Sequence, residues 1–468
     1  MLVETPTVLE HPLDRALPAP GKGPRVAVYT LGCKLNYADG LSIRKTFEDQ
    51  GYEPVSFEEG ADVYIINTCS VTDKADRKCA KVVRQALRYA PHAQIAVVGC
   101  YAQLRPDEIA QIPGVTLVAG TADKWRLPQL LPEGATHRVV RRPIQEALDF
   151  VPAQSWGDRT RAFLKVQDGC DYPCSYCTIP AARGLSRSDR MDSVIQRAQD
   201  LVKNGAVEIV LTGVNLGDFG KGKGDRDRSP EGPRQGLDAL VRRLNQEVEA
   251  ERFRLSSVEP NLLDEDLLVA VKESPRFVPH FHIPLQSGSD TVLARMRRRY
   301  RTELYRDRLN RIIELFPEAC IGADVMVGFP GETDAEFESC KNFLDSLPLA
   351  YLHVFSYSER PGTDAMAMGA AVANEQRALR NQVLTRWSLE RERDFAAAFR
   401  GRTLPVLFEN EAYPGTSGSP STMRGYTPNY LRVEAIYDPL WAGSIVPVYL
   451  NQPVPSSTEV RWSGTIVA

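Results

Sequence analysis

Short β-branched runs alternate with amphipathic stretches from Arg25 onward. RVAVYTL (25–31), ADVYIINT (61–68), QIAVVG (94–99) and TLVAGT (116–121) read as strands. Helical stretches separate them, and one stops at Gly51, which suits a C-terminal cap. Such alternation predicts a parallel sheet with right-handed crossovers. The proline-bearing segment 122–157 reads as a linker. A second series follows: FLKVQ (163–167), VEIVLTGV (207–214), RFRLSSV (252–258), HFHIPL (280–285), IGADVMVGF (321–329) and YLHVFSYS (351–358). Six β/α units predict an open, partial (β/α)6 barrel, because a complete one needs eight. After a long helix at about 374–400 the runs TLPVLFEN, YLRVEAIY, SIVPVYL and TEVRWSGTIV predict a small antiparallel β-barrel. The fold class is therefore α/β. A disordered proline-rich tail (1–24) precedes an N-terminal parallel-sheet domain (25–145), a central barrel (156–400) and a C-terminal β-barrel (401–468).

Composition narrows the class. Apolar residues make up 43% and charged residues 25% of 468, as in a soluble globular protein. The net charge of -3 gives no global nucleic-acid signature, so any RNA must be held by local patches. The N-terminus lacks a secretory pattern and no apolar run is long enough to span a membrane. A cytoplasmic monomer is expected. There, nine cysteines are more often metal ligands or reactive thiols than disulfides.

Three of the nine lie in QDGCDYPCSYC (167–177), where Cys170, Cys174 and Cys177 follow a barrel strand. A structural metal site normally wants four ligands. Three thiolates can instead hold three irons of a [4Fe–4S] cube and leave the fourth iron open to a chelating ligand. The alternative is a zinc knuckle that recruits a distant fourth ligand. Cys33, Cys69 and Cys100 each follow one of the first three N-terminal strands. Carboxyl ends of parallel strands share one edge, so these three can converge on a second site. Single buried cysteines in strands are common; of the remaining three, Cys79 and Cys340 fall in helical stretches and Cys320 precedes a strand, and all read as small core or surface residues.

Other polar residues fall at the carboxyl ends of barrel strands: Thr212, Gly213 and Asn215; Ser257 and Glu259; Gln286, Ser287 and Ser289; Asp324; Gly328. Together they suit an amino-acid-like ligand, and singly they suit turns. His280 and His282 alternate to one face and read as structural histidines. RMRRRYR (295–301) and the arginines of the 374–402 helix form two basic faces that could meet phosphate. The last barrel offers Tyr413, Tyr426, Tyr430 and Trp441, so RNA binding there would rest on stacking. The charged insert 220–236 contains GxGxG, but no strand feeds it and no helix opens on it, so it reads as a loop.

CDYPCSYC resembles the CxxxCxxC loop of radical S-adenosylmethionine (SAM) enzymes. TLGCKLN (30–36), NTCSVT (67–72), VVGCYAQ (97–103), HIPLQSGSD (282–290), VGFPGET (327–333) and SYSERPGT (356–363) are together similar to methylthiotransferases, and the last barrel resembles their TRAM domain. GCKLN and GYTPNY (425–430) resemble the branch that acts on threonylcarbamoyladenosine in tRNA, ahead of the branches acting on isopentenyladenosine or on a ribosomal-protein aspartate. The resemblance implies two [4Fe–4S] clusters, one on Cys170, Cys174 and Cys177 and an auxiliary one on Cys33, Cys69 and Cys100. It implies SAM as cofactor, with Tyr176 against the adenine and Thr212, Gly213, Asn215, Ser257, Glu259, Gln286 and Asp324 around it. It further implies a tRNA anticodon stem-loop as partner and an electron donor such as flavodoxin. The radical would take hydrogen from C2 of the modified adenine, and a methylthio group would join that carbon. An unactivated aromatic C–H explains the need for a radical cofactor.

Overall fold

A computed structural model describes residues 23–69, 73–131, 137–147, 149–155, 160–225, 235–414, 420–454, 456 and 459–467. The expected disordered tail lies outside these residues except for its last two, and so does the middle of the charged insert.

The first sheet has six strands, all parallel, in the order Glu53–Pro54, Arg25–Thr30, Val63–Thr68, Gln94–Gly99, Leu117–Ala119, Arg138–Val140. The four strands expected from the apolar runs are its centre. Their Val and Ile side chains are buried on both faces, as a parallel sheet covered by helices requires. Several short strands were not expected, Glu53–Pro54 at the edge of this sheet among them. Arg138–Val140 comes from the segment read as a linker, and so does Ala153–Gln154, which pairs antiparallel with Arg161–Lys165 in the next sheet. That segment therefore contributes strands to both sheets.

The six expected barrel strands form two parallel groups. Arg161–Lys165, Glu208–Thr212 and Arg252–Leu255 make one, and His280–His282, Cys320–Val327 and Tyr351–Ser356 the other. A Phe253–Phe277 bridge and a hydrogen bond from Val258 N–H to the His282 carbonyl (3.0 Å) join them. The 24-residue helix Asn374–Ala397 then packs against the last strand.

The C-terminal unit is a closed five-stranded barrel in the order Thr403–Phe408, Thr422–Tyr426, Arg432–Ile436, Arg461–Ile466, Ile445–Val454. It is antiparallel as expected, apart from one parallel pairing of Val433 with Trp462. Its GYTPNY segment lies against the amino ends of the central strands. Arg252 donates to the Tyr426 carbonyl (3.2 Å), Arg254 donates to the Pro428 carbonyl (3.1 Å), and the Arg254 guanidinium covers the Tyr430 ring at 4.9 Å. Tyr430 in turn stacks on His280 at 4.2 Å and on Tyr426 at 4.8 Å. Two of the four aromatics expected to stack on RNA are therefore held between the two barrels.

Candidate functional site

Cys170, Cys174 and Cys177 lie on the loop between the short strand Gln167–Asp168 and the helix Ile179–Arg183. None of the three is in a disulfide, and each is neither fully buried nor exposed. Each sulfur accepts an N–H: Cys170 Sγ from Tyr172 (3.4 Å), Cys177 Sγ from Ile179 (3.5 Å) and Cys174 Sγ from the Arg298 guanidinium (3.2 Å). Burial pushes all three thiols up, Cys177 to about 12, so burial opposes the thiolate until a cation offsets it. Three acceptor sulfurs on one short loop fit a thiolate-bound cluster. The loop is pinned from three sides. Ser175 bonds the carbonyls of Met296 and Arg295, Ala365 N–H reaches the Ser175 carbonyl, and Lys223 N–H reaches Asp171. The start of the charged insert thus docks on this loop rather than hanging free.

Tyr176 packs on the apolar cluster of Val292, Met296, Phe329 and Tyr357. Thr212 and Asn215 are buried at the end of their strand, and both Thr212 Oγ1 and Asn215 Oδ1 lack a hydrogen-bond partner among the described residues. Two orphaned buried acceptors suit an incoming ammonium, as an amino-acid-like ligand requires. Gly213 is crowded by Gln167, whose Oε1 would lie 2.8 Å from an added Cβ. The same Oε1 accepts the Asn215 N–H (2.8 Å) while Gln167 Nε2 donates to the Gly169 carbonyl (2.8 Å), so this side chain ties the strand end to the cysteine loop.

The remaining expected residues are already engaged. Glu259 is ion-paired to Arg298, Ser257 Oγ is 2.6 Å from His282 Nδ1, and Asp324 sits between His282 and His353. Gln286 adopts φ 67° and its backbone bridges to the Asp324 strand. Ser287 and Ser289 serve the turn before the helix Asp290–Arg295, and Gly328 donates its N–H to Glu332.

Cys33, Cys69 and Cys100 leave three adjacent strands at one edge, since Thr30 is registered with Asn67 and Thr68 with Gly99. Gly32 makes the approach possible: at φ +110°, an added Cβ would lie 2.5 Å from Cys69 Cβ. Asn36 binds this edge together, donating to the Leu31 (2.6 Å) and Thr68 (3.1 Å) carbonyls. Beneath it lies a buried charge cluster between the first two units. Asp39 pairs with Lys124 (2.5 Å), Lys165 (3.2 Å) and Arg183 (3.1 Å); Asp168 pairs with Lys165 (2.7 Å), Arg183 (2.9 Å) and Arg187 (3.5 Å). Four cations thus meet two carboxylates. Burial opposes the Arg183 charge, but Asp168, Cys100, Asp39 and Cys33 together hold its pKa well above the ordinary range. An excess of buried positive charge beside two cysteines fits thiolates at that edge.

A family profile described as "Uncharacterized protein family UPF0004" matches residues 25–120, and one described as "Radical SAM superfamily" matches 164–344. The threonylcarbamoyladenosine tRNA methylthiotransferase MtaB of Bacillus subtilis is 40% identical over 87% of this chain and 89% of its own. The chain belongs to the radical SAM methylthiotransferase family. The tRNA-2-methylthio-N(6)-dimethylallyladenosine synthase of Acidothermus cellulolyticus is 35% identical over 76% of this chain and 71% of its own. Among solved structures, the radical SAM methyltransferase TsrM of Kitasatospora setae shares the fold at a TM-score of 0.52 and 14% identity, over 74% of each chain. Methylthiotransferases of this family use SAM and two [4Fe–4S] clusters. Among the described residues, no helix of this methylthiotransferase is long and apolar enough to cross a membrane.

The basic faces differ from expectation. Arg298 is buried and turned toward Cys174 and Glu259. Arg295 pairs with Glu336 (2.8 Å), and the Arg299 guanidinium covers Tyr172 at 4.0 Å. Arg377 and Arg380 of the long helix are buried on Glu359 (2.6 Å) and Glu332 (2.7 Å). Much of the arginine density therefore braces the barrel. Gln167, Arg183, Asn36 and His353 were missed from the sequence, their only signal being closeness to a cysteine or a place in a strand, and Arg298 was read only as part of a basic face.

Proposed function

We propose that this enzyme adds a methylthio group to C2 of N6-threonylcarbamoyladenosine next to the anticodon of tRNA. The observation that carries the reading is the 40% identity, over 87% of the chain, to a relative named for that reaction. In this reading Cys170, Cys174 and Cys177 hold the SAM-binding cluster, and Cys33, Cys69 and Cys100 hold the auxiliary one. The clusters supply one-electron cleavage of SAM and the site from which sulfur is transferred. The protein's own groups do the rest. Thr212 Oγ1 and Asn215 Oδ1 accept the SAM ammonium, and Tyr176 with its apolar neighbours lines the adenine side. Arg298 fixes Cys174 and Tyr176 through one guanidinium. The segments 25–145, 156–400 and 401–468 act as the sulfur-transfer, radical and RNA-docking units. We place the enzyme in the cytoplasm as a monomer, reduced by a flavodoxin-like donor.

Nucleoside mass spectrometry tests this reading. The chain is expressed in a host without its own methylthiotransferases, and total tRNA is digested. The expected product is the methylthio derivative of threonylcarbamoyladenosine. The methylthio derivative of isopentenyladenosine would overturn the substrate, and no modified nucleoside would point to a protein aspartate.

A further inference from the structure

Three neighbouring strands of the second barrel group each turn one potential metal ligand to the same face. Asp324 is registered with His353, and His282 with Gly322, two residues before Asp324. Side chains two apart in a strand share a face, so all three converge. His282 Nε2 lies 3.2 Å and His353 Nδ1 3.3 Å from Asp324 Oδ1, and the three donor atoms lie within 4.8 Å of one another.

These spacings are long for a charge-assisted hydrogen bond, which runs about 2.7–2.9 Å. They match ligand atoms around one tetrahedral ion, which at bond lengths of about 2.0–2.1 Å stand about 3.3 Å apart. Alignment agrees. His282 Nε2 is buried and makes no hydrogen bond, although the carboxylate is close. Its other nitrogen is fixed by Ser257 Oγ at 2.6 Å, the outer contact that orients a ligating imidazole. Ser257 Oγ can either accept from Nδ1 or donate to it; in the tautomer with the proton on Nδ1, the Nε2 lone pair faces a carboxylate oxygen, and a cation between them relieves that contact. The His353 side chain is 38% exposed, which leaves a path for an ion and an open coordination position.

We propose that His282, Asp324 and His353 bind one divalent first-row transition ion of the zinc class, separately from both cysteine triads. Two imidazoles and one carboxylate, with no thiolate, favour zinc or iron(II) over calcium or magnesium. The site needs no particular nucleoside substrate, so it stands or falls apart from the function above.

The test uses the full chain with its iron–sulfur clusters reconstituted anaerobically, so that the cysteines are occupied. Zinc or cobalt(II) is added and excess removed. The expected result is one retained equivalent per chain, with a cobalt spectrum of nitrogen and oxygen ligation and no sulfur charge-transfer band. Asp324→Asn and His353→Ala lose that equivalent while iron content and circular dichroism stay unchanged. Ser257→Ala weakens binding about 10–100-fold. If wild type retains no such ion, or if Asp324→Asn holds it equally well, the three residues form a hydrogen-bonded group only and the proposal is wrong. Should either ligand variant lose its fold, Ser257→Ala decides, and unchanged affinity there overturns the site.

Discussion

Arg183 Nη2 donates to the side-chain oxygen of Asn36 at 3.1 Å and to Asp39 at 3.1 Å, and these bonds help to link the two cysteine-bearing regions. Arg183 ends the helix that follows Cys177, while Asn36 holds the edge where Cys33 and Cys69 emerge. The separation between the two triads is thus set by a fork with one arm on each unit. Arg183→Lys keeps a charge but loses the fork. Methylthiolated product should fall at least about tenfold, while 5′-deoxyadenosine formation from SAM falls less. Equal losses in both assays would mean that Arg183 serves folding alone.

Asp39 anchors the same junction. Burial alone would raise its carboxyl, but Lys124, Lys165 and Arg183 outweigh burial and hold it at about 2. A folded value below the unfolded one gives stability that is present above about pH 4 and is lost as pH falls toward 2. Asp39→Asn leaves three buried cations short of a partner and should cost about 3–5 kcal/mol. The variant's melting temperature should lie well below wild type at pH 7. The gap should narrow as wild type is taken below pH 4, and a constant gap would refute the linkage.

The elements legible in the sequence share one property: their signal is local. Each apolar run that ends in Cys33, Cys69 or Cys100 marks a strand, and parallel topology then brings the three ends to one edge. The CxxxCxxC spacing likewise lies within one loop. Arg298 was not legible, because a run such as RMRRRYR looks the same whether solvated or folded inward. Only the tertiary structure puts Glu259 and Cys174 opposite it. Tyr430 failed for the same reason, since an aromatic in a turn motif does not reveal which surface it meets. Arg138–Val140 is too short and too flanked by prolines to stand out, and it pairs only because a sheet edge is waiting.

Arg298 reaches Cys174 Sγ, Tyr176 OH and Glu259 with one guanidinium. Donors to a cluster sulfur raise its reduction potential. Arg298→Gln should shift the potential of the SAM-binding cluster to more negative values and slow SAM cleavage about 10–100-fold. Spectroscopic redox titration of the reconstituted variant reads the shift directly, and an unchanged potential would leave Arg298 with a packing role only.

Tyr430 lies between the Arg254 guanidinium, the His280 ring and Tyr426. Its truncation removes an aromatic plug from the base of the central barrel. Tyr430→Ala should therefore cost about 3 kcal/mol and make the connection to residues 401–468 more sensitive to protease. A residue that only stacked on RNA would leave the melting temperature of the free protein where it was.

The two triads predict opposite splits of one reaction. Each Cys174 or Cys69 substitution removes a sulfur, but only Cys174 lies on the loop beside the orphaned acceptors Thr212 Oγ1 and Asn215 Oδ1, where SAM would bind. Cys174→Ala should abolish 5′-deoxyadenosine formation and product together. Cys69→Ala should spare 5′-deoxyadenosine formation and abolish methylthiolated nucleoside, because Cys69 lies on the N-terminal edge, which meets the barrel through the Asn36–Arg183 bond and the Asp39 ion pairs and not through the cysteine loop's own sulfurs. Iron counts should fall by about one cluster in each variant. If Cys69→Ala still made methylthiolated tRNA, the N-terminal triad could not be the source of the transferred sulfur, whatever metal it held.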